Sequence, residues 1–200
     1  MTSVKTTRGE IQTDTVVNAT AGFCSTVAKL VNMHLPVVTH PLQAFVTEPL
    51  TPFLDCVIVS ATLHVYVSQT DRGELVIGSE IDPYSTYSSR STLQFLQTSA
   101  AHTLELFPCL RHVKVLRQWA GVCDMTPDFS PIMGEVPGLK GFILDVGWGT
   151  YGFKAGPVAG KRIAELIATG KTPAVIQPFS ISRFWDNQLV GEKAAAAVSH

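Results

Sequence analysis

The residues best placed to do chemistry form the stretch Gly147 to Gly160, GWGTYGFKAGPVAG. Its first part, Gly147-Trp148-Gly149-Thr150-Tyr151-Gly152, formally matches G-x-G-x-x-G. Glycines leave backbone N–H groups open to a ligand, and a helix N-terminus behind them adds the positive end of its dipole, so anionic or electron-rich atoms are favoured there. Lys154 is a full positive charge close to that helix start, where a cation is disfavoured unless an anion binds nearby. Two readings follow: Lys154 holds a carboxylate, or it is a solvated loop lysine. As a dinucleotide fingerprint the stretch falls short. The spacing predicts a helix only from Pro157 to Thr169, with Pro157 at the first helical position and Gly170 as the stop. A second strand with an acidic tip does not follow it. The stretch therefore reads as a loop covering a ligand, with any phosphate-binding unit expected upstream of Met1.

Other chemistries find little support. Cys24, Cys56, Cys109 and Cys123 contain no C-x-x-C pair, and the six histidines are scattered, so reduced, mostly buried thiols and no metal are expected. With 15 Lys and Arg against 16 Asp and Glu, the net charge of -1 provides no footprint for nucleic acid or anionic lipid. Apolar runs such as Cys56 to Ser60 are far shorter than the roughly 18–20 residues that span a bilayer. The N-terminus MTSVKTTRGE lacks a signal-peptide core, and a cytoplasmic protein is expected.

Several elements must position the glycine stretch. A hairpin is expected around Arg8-Gly9, then a strand through Val16-Val17 ending in the small residues Ala19 to Gly22, then a helix with Val27, Leu30 and Val31 on one face. Small residues at a strand end suit close approach of a ligand, although a tight turn without one reads the same way. Short strands over Ala44 to Thr47, Val57 to Ser60, Leu63 to Ser68 and Glu74 to Gly78 suggest an antiparallel meander. A helix follows, with a Ser91-x-x-Gln94 capping box and Leu93, Leu96, Ala100 and Leu104 on one face. Val113 to Cys123 alternates like a strand, with Val113, Val115 and Trp119 together, and Asp124 to Asp128 reads as a polar loop near chemistry. Phe142 to Val146 is a buried strand, and the helix after it turns Ala159, Ile163, Leu166 and Ile167 inward. The last thirty residues, including the Ala194 to Ala197 run, read as an extended, peripheral tail.

Across nearly its whole length the sequence resembles the D-amino-acid-oxidase-like flavoproteins, and within them the beta subunits of heterotetrameric sarcosine oxidases. TTRGEIQTDTVVNATAG, LPVVTHPLQAFVTEPL, HVYVSQTDRGELVIGSEID, RQWAGVCDMTPDFSPIMG, GWGTYGFKAGPVAGKRIAELIATG, PFSISRF and the final AAAAVSH carry the resemblance. It implies an α+β / α/β fold: 1–34 as the end of an FAD-binding Rossmann-like domain, 35–122 as an antiparallel-sheet substrate domain with one helix, 123–170 as a return to the FAD-binding domain, and 171–200 as a tail. Family members carry a G-x-G-x-x-G unit at their N-terminus, so the chain resembles the C-terminal portion of such a subunit. A noncatalytic fragment is one reading of that portion.

The activity implied by the resemblance is oxidative demethylation of sarcosine to glycine, a one-carbon unit and hydrogen peroxide. The implied cofactor is noncovalent FAD, with FMN at an interface and its attachment site outside this chain. Implied partners are alpha, gamma and delta subunits, and no nucleic acid or membrane. Other secondary or N-methyl amino acids, such as N-methylglutamate or dimethylglycine, are alternative substrates. Lys154 matches the lysine that pairs with the substrate carboxylate, and Met125 and Tyr66 are further substrate-binding candidates. His64, close to Tyr66, and Tyr66 itself either line a pocket or pack in a core. Ala19, Ala21 and Gly22 match the small-residue strand end beside FAD. Gly147, Trp148, Gly149, Thr150, Gly152, Phe153 and Lys154 match the loop over the flavin ring, whose pyrimidine edge gains negative charge on reduction. Cys123 falls where monomeric sarcosine oxidases carry a flavin-bonded cysteine, yet Asp124-Met125-Thr126 replaces their aromatic-containing continuation. A flavin bond and a structural thiol near the ring both remain open. Val76 and Glu80 occupy the region where those enzymes place a histidine and a lysine toward the substrate.

Overall fold

The computed structural model describes residues 1–79 and 81–190, so Glu80 and the Ala194 to Ala197 run lie outside the described residues. Two compact units divide the described residues: Met1–Thr39 joins residues 123–190, and His40–Val122 forms the other.

The first unit opens with a hairpin of β1 (Ser3–Thr6) and β2 (Gly9–Gln12), in register from Ser3↔Gln12 to Thr6↔Gly9. Thr6 Oγ1 closes its turn by accepting the Arg8 N–H at 3.1 Å and donating to the Gly9 carbonyl at 2.9 Å. Strand β3 (Val16–Asn18) leads through a 3-10 turn into the short helix α1 (Cys24–Lys29). Its inward residues are Cys24 and Ala28, flanked by Val27 and Val31, whereas Leu30 is 81% exposed and does not join the expected apolar face. β3 is the parallel neighbour of β10 (Leu139–Val146), which pairs antiparallel with β9 (Ile132–Val136). Alternation along β10 sends Phe142, Leu144 and Val146 toward Cys24, Ala28, Leu35 and Ile181. Ile143 points to the opposite face, where it meets Met133 and residues Ala159, Ile163 and Leu166 of the helix α3 (Gly152–Thr169). A strand covered on both faces must be apolar throughout, which accounts for the run from Phe142 to Leu144.

Helix α3 begins at Gly152 rather than Pro157, and Pro157 lies inside it. The Ala155 N–H already donates to the Tyr151 carbonyl at 3.2 Å, so the helix nucleates before the proline and forfeits only the bond Pro157 cannot make. The glycine stretch thus feeds directly into a helix, which removes one of the two departures from the dinucleotide pattern. The absence of a following strand among the described residues remains. Gly170 ends the helix in the left-handed region at φ 65°, its N–H donating to the Leu166 carbonyl at 2.9 Å. Ile167, expected inward, is 47% exposed.

The described part of the tail is neither extended nor peripheral. Ile176 and Ile181 are buried, and Arg183, in a 3-10 turn (Ile181–Phe184), forms a bidentate pair with Asp128, Nε to Oδ2 at 2.7 Å and Nη2 to Oδ1 at 3.0 Å. Arg183 also donates to the carbonyls of Phe179 and Ser130, and the N–H groups of Ser130 and Val190 donate to Asp128 as well. Burial alone raises the Asp128 carboxyl, but the Arg183 hydrogen bonds and charge outweigh it and hold the group below the usual carboxylate range.

The second unit is a five-stranded sheet in the order β5-β6-β7-β4-β8. Its strands are β4 (Val38–Pro49), β5 (Ile58–Ser60), β6 (Val65–Gln69), β7 (Glu74–Ser79) and β8 (Val115–Met125), with the start of β4, to Thr39, and the end of β8, from Cys123, belonging to the first unit. Phe45, Val65, Val67, Leu75 and Ile77 on one face bury Phe95 of α2 (Leu93–Leu106). Thr92, not Ser91, caps α2, accepting the Phe95 N–H at 3.2 Å. The inward residues are Phe95, Ser99 and Thr103, while Leu93 is 67% exposed. Buried Gln43 fixes the cap: its Nε2 donates to Asp82 Oδ2 at 2.7 Å and its Oε1 accepts the Thr92 N–H at 2.8 Å.

The Arg183 to Asp128 pair yields a stability prediction. Arg183→Met leaves a buried carboxylate without its cation and lowers the unfolding free energy at pH 7 by about 3–5 kcal/mol in urea titrations. A depressed carboxyl stabilises the fold above its ordinary pKa and ceases to do so as pH falls through the folded value. The gap between parent and variant should therefore narrow in acid. Equal urea midpoints at pH 7 would rule out a stabilising role.

Candidate functional site

Ligands of open α/β sheets gather at the carboxyl ends of parallel strands. In the first unit the parallel pair β3 and β10 runs in register from Phe142↔Val16 to Leu144↔Asn18, so both strands finish at the same edge. β3 continues into Ala19 to Gly22 and β10 into Gly147 to Tyr151. The sequence-derived cofactor candidates are therefore brought to one sheet edge as two adjacent turns.

Each turn is held by a buried polar side chain. Asn18, fully buried at the end of β3, donates through Nδ2 to the Cys24 carbonyl at 3.0 Å and accepts the Thr20 hydroxyl at 2.7 Å. Thr39 Oγ1 donates to the Gly22 carbonyl at 2.7 Å. This bends the small-residue turn back on itself, with Ala21 at φ 45° and with Ala19 and Ala21 exposed.

The glycine turn is held by Asp124, near the end of β8. The Gly147 N–H donates to Asp124 Oδ2 in a short hydrogen bond, and the Gly149 N–H donates to the Asp124 carbonyl at 3.0 Å. The first of these N–H groups thus meets a carboxylate and the second a main-chain carbonyl, both of the same residue. Asp124 is 2% exposed. Burial raises its carboxyl above the usual range despite the opposing N–H bonds of the turn. Burial, and then the Asp124 charge, push the Cys24 thiol up to about 11. The glycines are required by the fold: Gly147 at φ 75° leaves no room for a Cβ beside Thr126 Cγ2, and a Cβ at Gly149, φ 54°, would meet the Met125 Sδ at 3.0 Å. Trp148 is set by its Nε1, which donates to Asp145 Oδ1 at 2.7 Å.

Beyond the turn, α3 offers what a ligand could use. Tyr151 at its N-cap makes no side-chain cap bond and its first turn holds no acidic residue, so no side chain of the cap or that turn neutralises the positive end. Thr150, Phe153 and Lys154 are exposed, Phe153 completely, and Lys154 Nζ lies 4.3 Å from the centre of the Tyr151 ring. Small turns at parallel strand ends beside an uncapped helix suit an electron-rich, planar cofactor edge, with Gly152, Phe153 and Lys154 supplying the free-end N–H groups.

The remaining candidates divide between the units. Met125 touches the glycine turn and Cys123, buried in β8, immediately precedes Asp124. Tyr66 belongs to β6 of the second unit, where its ring lies across Gly78, its partner in β7, and excludes any Cβ there. Burial raises its hydroxyl pKa. Of the four free cysteines, Cys24 and Cys123 are buried and Cys56 and Cys109 exposed. The described residues contain no group of three His, Cys, Asp or Glu able to hold a metal ion, and no helix among them is long and apolar enough to cross a membrane. Sequence reading placed Asp124 in a polar loop near chemistry and gave it no role, whereas it lies within β8, and it passed over Asn18; the available signal was an acid inside the strand-like run GVCDM.

Paired parallel strand ends, small-residue turns and the helix start after β10 are features of part of a nucleotide-binding α/β unit. The chain belongs to the DAO family of FAD dependent oxidoreductases, whose family model matches residues 1–166. It is 42% identical over 200 residues to sarcosine oxidase subunit beta of an Arthrobacter species, covering 100% of this chain and 49% of that one. The corresponding subunit of Rhodobacter capsulatus is 40% identical over 197 residues, 98% of this chain and 47% of the relative. The crystal structure of L-proline dehydrogenase from P. horikoshii superposes with a TM-score of 0.88 at 28% identity, covering 94% of this chain and 52% of that one. The chain thus spans about half the length of the relatives it matches.

Two glycines should respond oppositely to alanine. Gly147→Ala combines a positive φ with overlap on Thr126 and should cost about 2–4 kcal/mol of stability. Gly156→Ala, in α3 with nothing within 4 Å of the new Cβ, should gain about 0.5–1 kcal/mol. Thermal unfolding checks both, and Thr126→Ser should recover part of the Gly147→Ala loss. A neutral Gly147→Ala would contradict the packing.

Proposed function

We propose that this chain forms the substrate-facing part of an FAD-dependent amine oxidoreductase that demethylates sarcosine to glycine, a one-carbon unit and hydrogen peroxide. The observation that carries this reading is Lys154, exposed in the uncapped first turn of α3 within a chain 42% identical to a sarcosine oxidase beta subunit. FAD, when bound, supplies a two-electron acceptor for the N-methyl C–H bond.

The chain's residues bind and orient. Ala19, Ala21 and Gly22 allow close approach at one turn, and Gly147 to Phe153 shape the other. The N–H groups opening α3 favour an electron-rich cofactor edge. Lys154 anchors the substrate carboxylate, which fixes the N-methyl group in one position and converts binding energy into orientation. Stacking on Tyr151 limits the lysine's freedom, so less entropy is lost when the carboxylate arrives. Met125 and Tyr66 are proposed as further substrate-binding residues, each within its own unit. Cys123 is proposed as a structural thiol, with FAD held noncovalently.

FMN at a subunit interface, alpha, gamma and delta subunits as partners, and a cytoplasmic location complete the proposal. The two-unit division is proposed to correspond to FAD-binding and substrate domains. The likeness to an L-proline dehydrogenase favours one second reading, that the substrate is a different secondary amino acid. A panel of sarcosine, dimethylglycine, N-methylglutamate and proline, followed by anaerobic flavin bleaching, separates the two.

In the holoprotein, Lys154→Ala should lower kcat/KM for sarcosine about 100-fold, equivalent to about 3 kcal/mol, mainly through KM, with an unchanged flavin spectrum. Unaltered kinetics would remove the assigned role. Acid precipitation should release all FAD into the supernatant, and Cys123→Ser should not change its stoichiometry. FAD retained in the parent's pellet but released from Cys123→Ser would establish a covalent bond instead.

A further inference from the structure

We propose that Asp124 is the positioning residue of the flavin turn: its carboxylate and its carbonyl together hold Gly147 to Gly149 in the only geometry that delivers the start of α3 to the cofactor. This rests on the functional reading above and assigns a role to a residue outside the proposed set of contacts.

The geometry is specific. The carboxylate takes the Gly147 N–H and the main-chain carbonyl takes the Gly149 N–H. One residue of β8 thereby clamps both ends of a turn whose glycines stand at φ 75° and 54°. The turn packs on the residues that follow Asp124 in the chain, Gly147 against Thr126 and Gly149 against Met125. The same carboxylate lies close enough to Cys24, at the start of α1, to raise its thiol pKa. Asn18, which donates to the Cys24 carbonyl, holds the neighbouring turn. A buried carboxylate is costly without donors, and these donors are available only while the turn keeps its shape. Loss of the acceptor strands the Gly147 N–H in a buried position and releases the turn, and Thr150 to Lys154 follow it. Asp124 acts through the turn and not on the substrate.

Three proteins test this: the parent, Asp124→Asn, which keeps an acceptor oxygen without the charge, and Asp124→Ala, which has neither. Amide hydrogen exchange at Gly147 is read in each protein without flavin, with Phe142 and Leu144 in β10 as internal controls. FAD content and dissociation are read in the holoproteins. Asp124→Ala should exchange at Gly147 at least tenfold faster with unchanged β10 controls, and lose FAD at least tenfold faster. Asp124→Asn should restore both. Parent-like exchange in Asp124→Ala, or fast exchange with parent-like FAD retention, overturns the proposal. If Asp124→Ala does not fold, Asp124→Asn decides: parent-like exchange and retention support the role, and parent-like exchange with lost FAD assigns the effect to charge and overturns it. A parent protein that binds no FAD would overturn the functional reading and this role together.

Discussion

A single buried carboxylate sets the conditions for the glycine turn after β10. Asp124 would be costly in its apolar surroundings if its charge were not met by N–H groups, and the nearest available N–H groups belong to the glycine turn after β10. The turn can present them only with Gly147 and Gly149 at positive φ, which confines those positions to glycine. Their missing side chains are in turn what lets Thr126 and Met125 approach. A motif that looks like a ligand-binding signature is therefore first an internal one: its leading N–H groups satisfy the fold, and the helix start beyond them has no side-chain cap bond.

A similar economy runs through the rest of the first unit. β10 is apolar on both faces because α1 covers one and α3 the other. The chain after α3 then returns to bury Ile181 and to place Arg183 on Asp128, which lies shortly after Asp124 along the chain. Two acidic residues so close together meet opposite fates. Asp128, paired with a guanidinium, stays below the usual carboxylate range, whereas Asp124, paired only with neutral amides, is pushed above it.

Much of the architecture was legible because it rests on local chemistry. The Arg8-Gly9 hairpin, the meander from β5 to β7, the buried run of β10 and the Gly170 stop all follow from residue type and period. The errors have physical causes. In α2, Leu93 and Leu104 lie outside while Thr103 is buried, because its hydroxyl donates back to the Ser99 carbonyl at 2.7 Å and so needs no solvent. The start of α3 was displaced because a proline preference was read as a boundary. In the candidate site, the glycine turns and Lys154 stood out by composition. Asp124 and Arg183 did not, since their partners are separated from them by 23 and 55 residues and, for Asp124, are backbone groups that no sequence pattern marks.

Pro157 divides α3 into segments of unequal cooperativity. With no N–H to give, it leaves the Phe153 carbonyl without its helical donor, and the ladder is interrupted one turn from the end. Residues beyond the interruption are secured by Ala159, Ile163 and Leu166 in the core, whereas Gly152 to Gly156 has no buried residue of its own. Opening that first turn breaks few contacts and need not propagate. The lysine therefore sits on a short segment able to fray and re-form independently, at a free-energy cost well below that of unfolding the helix.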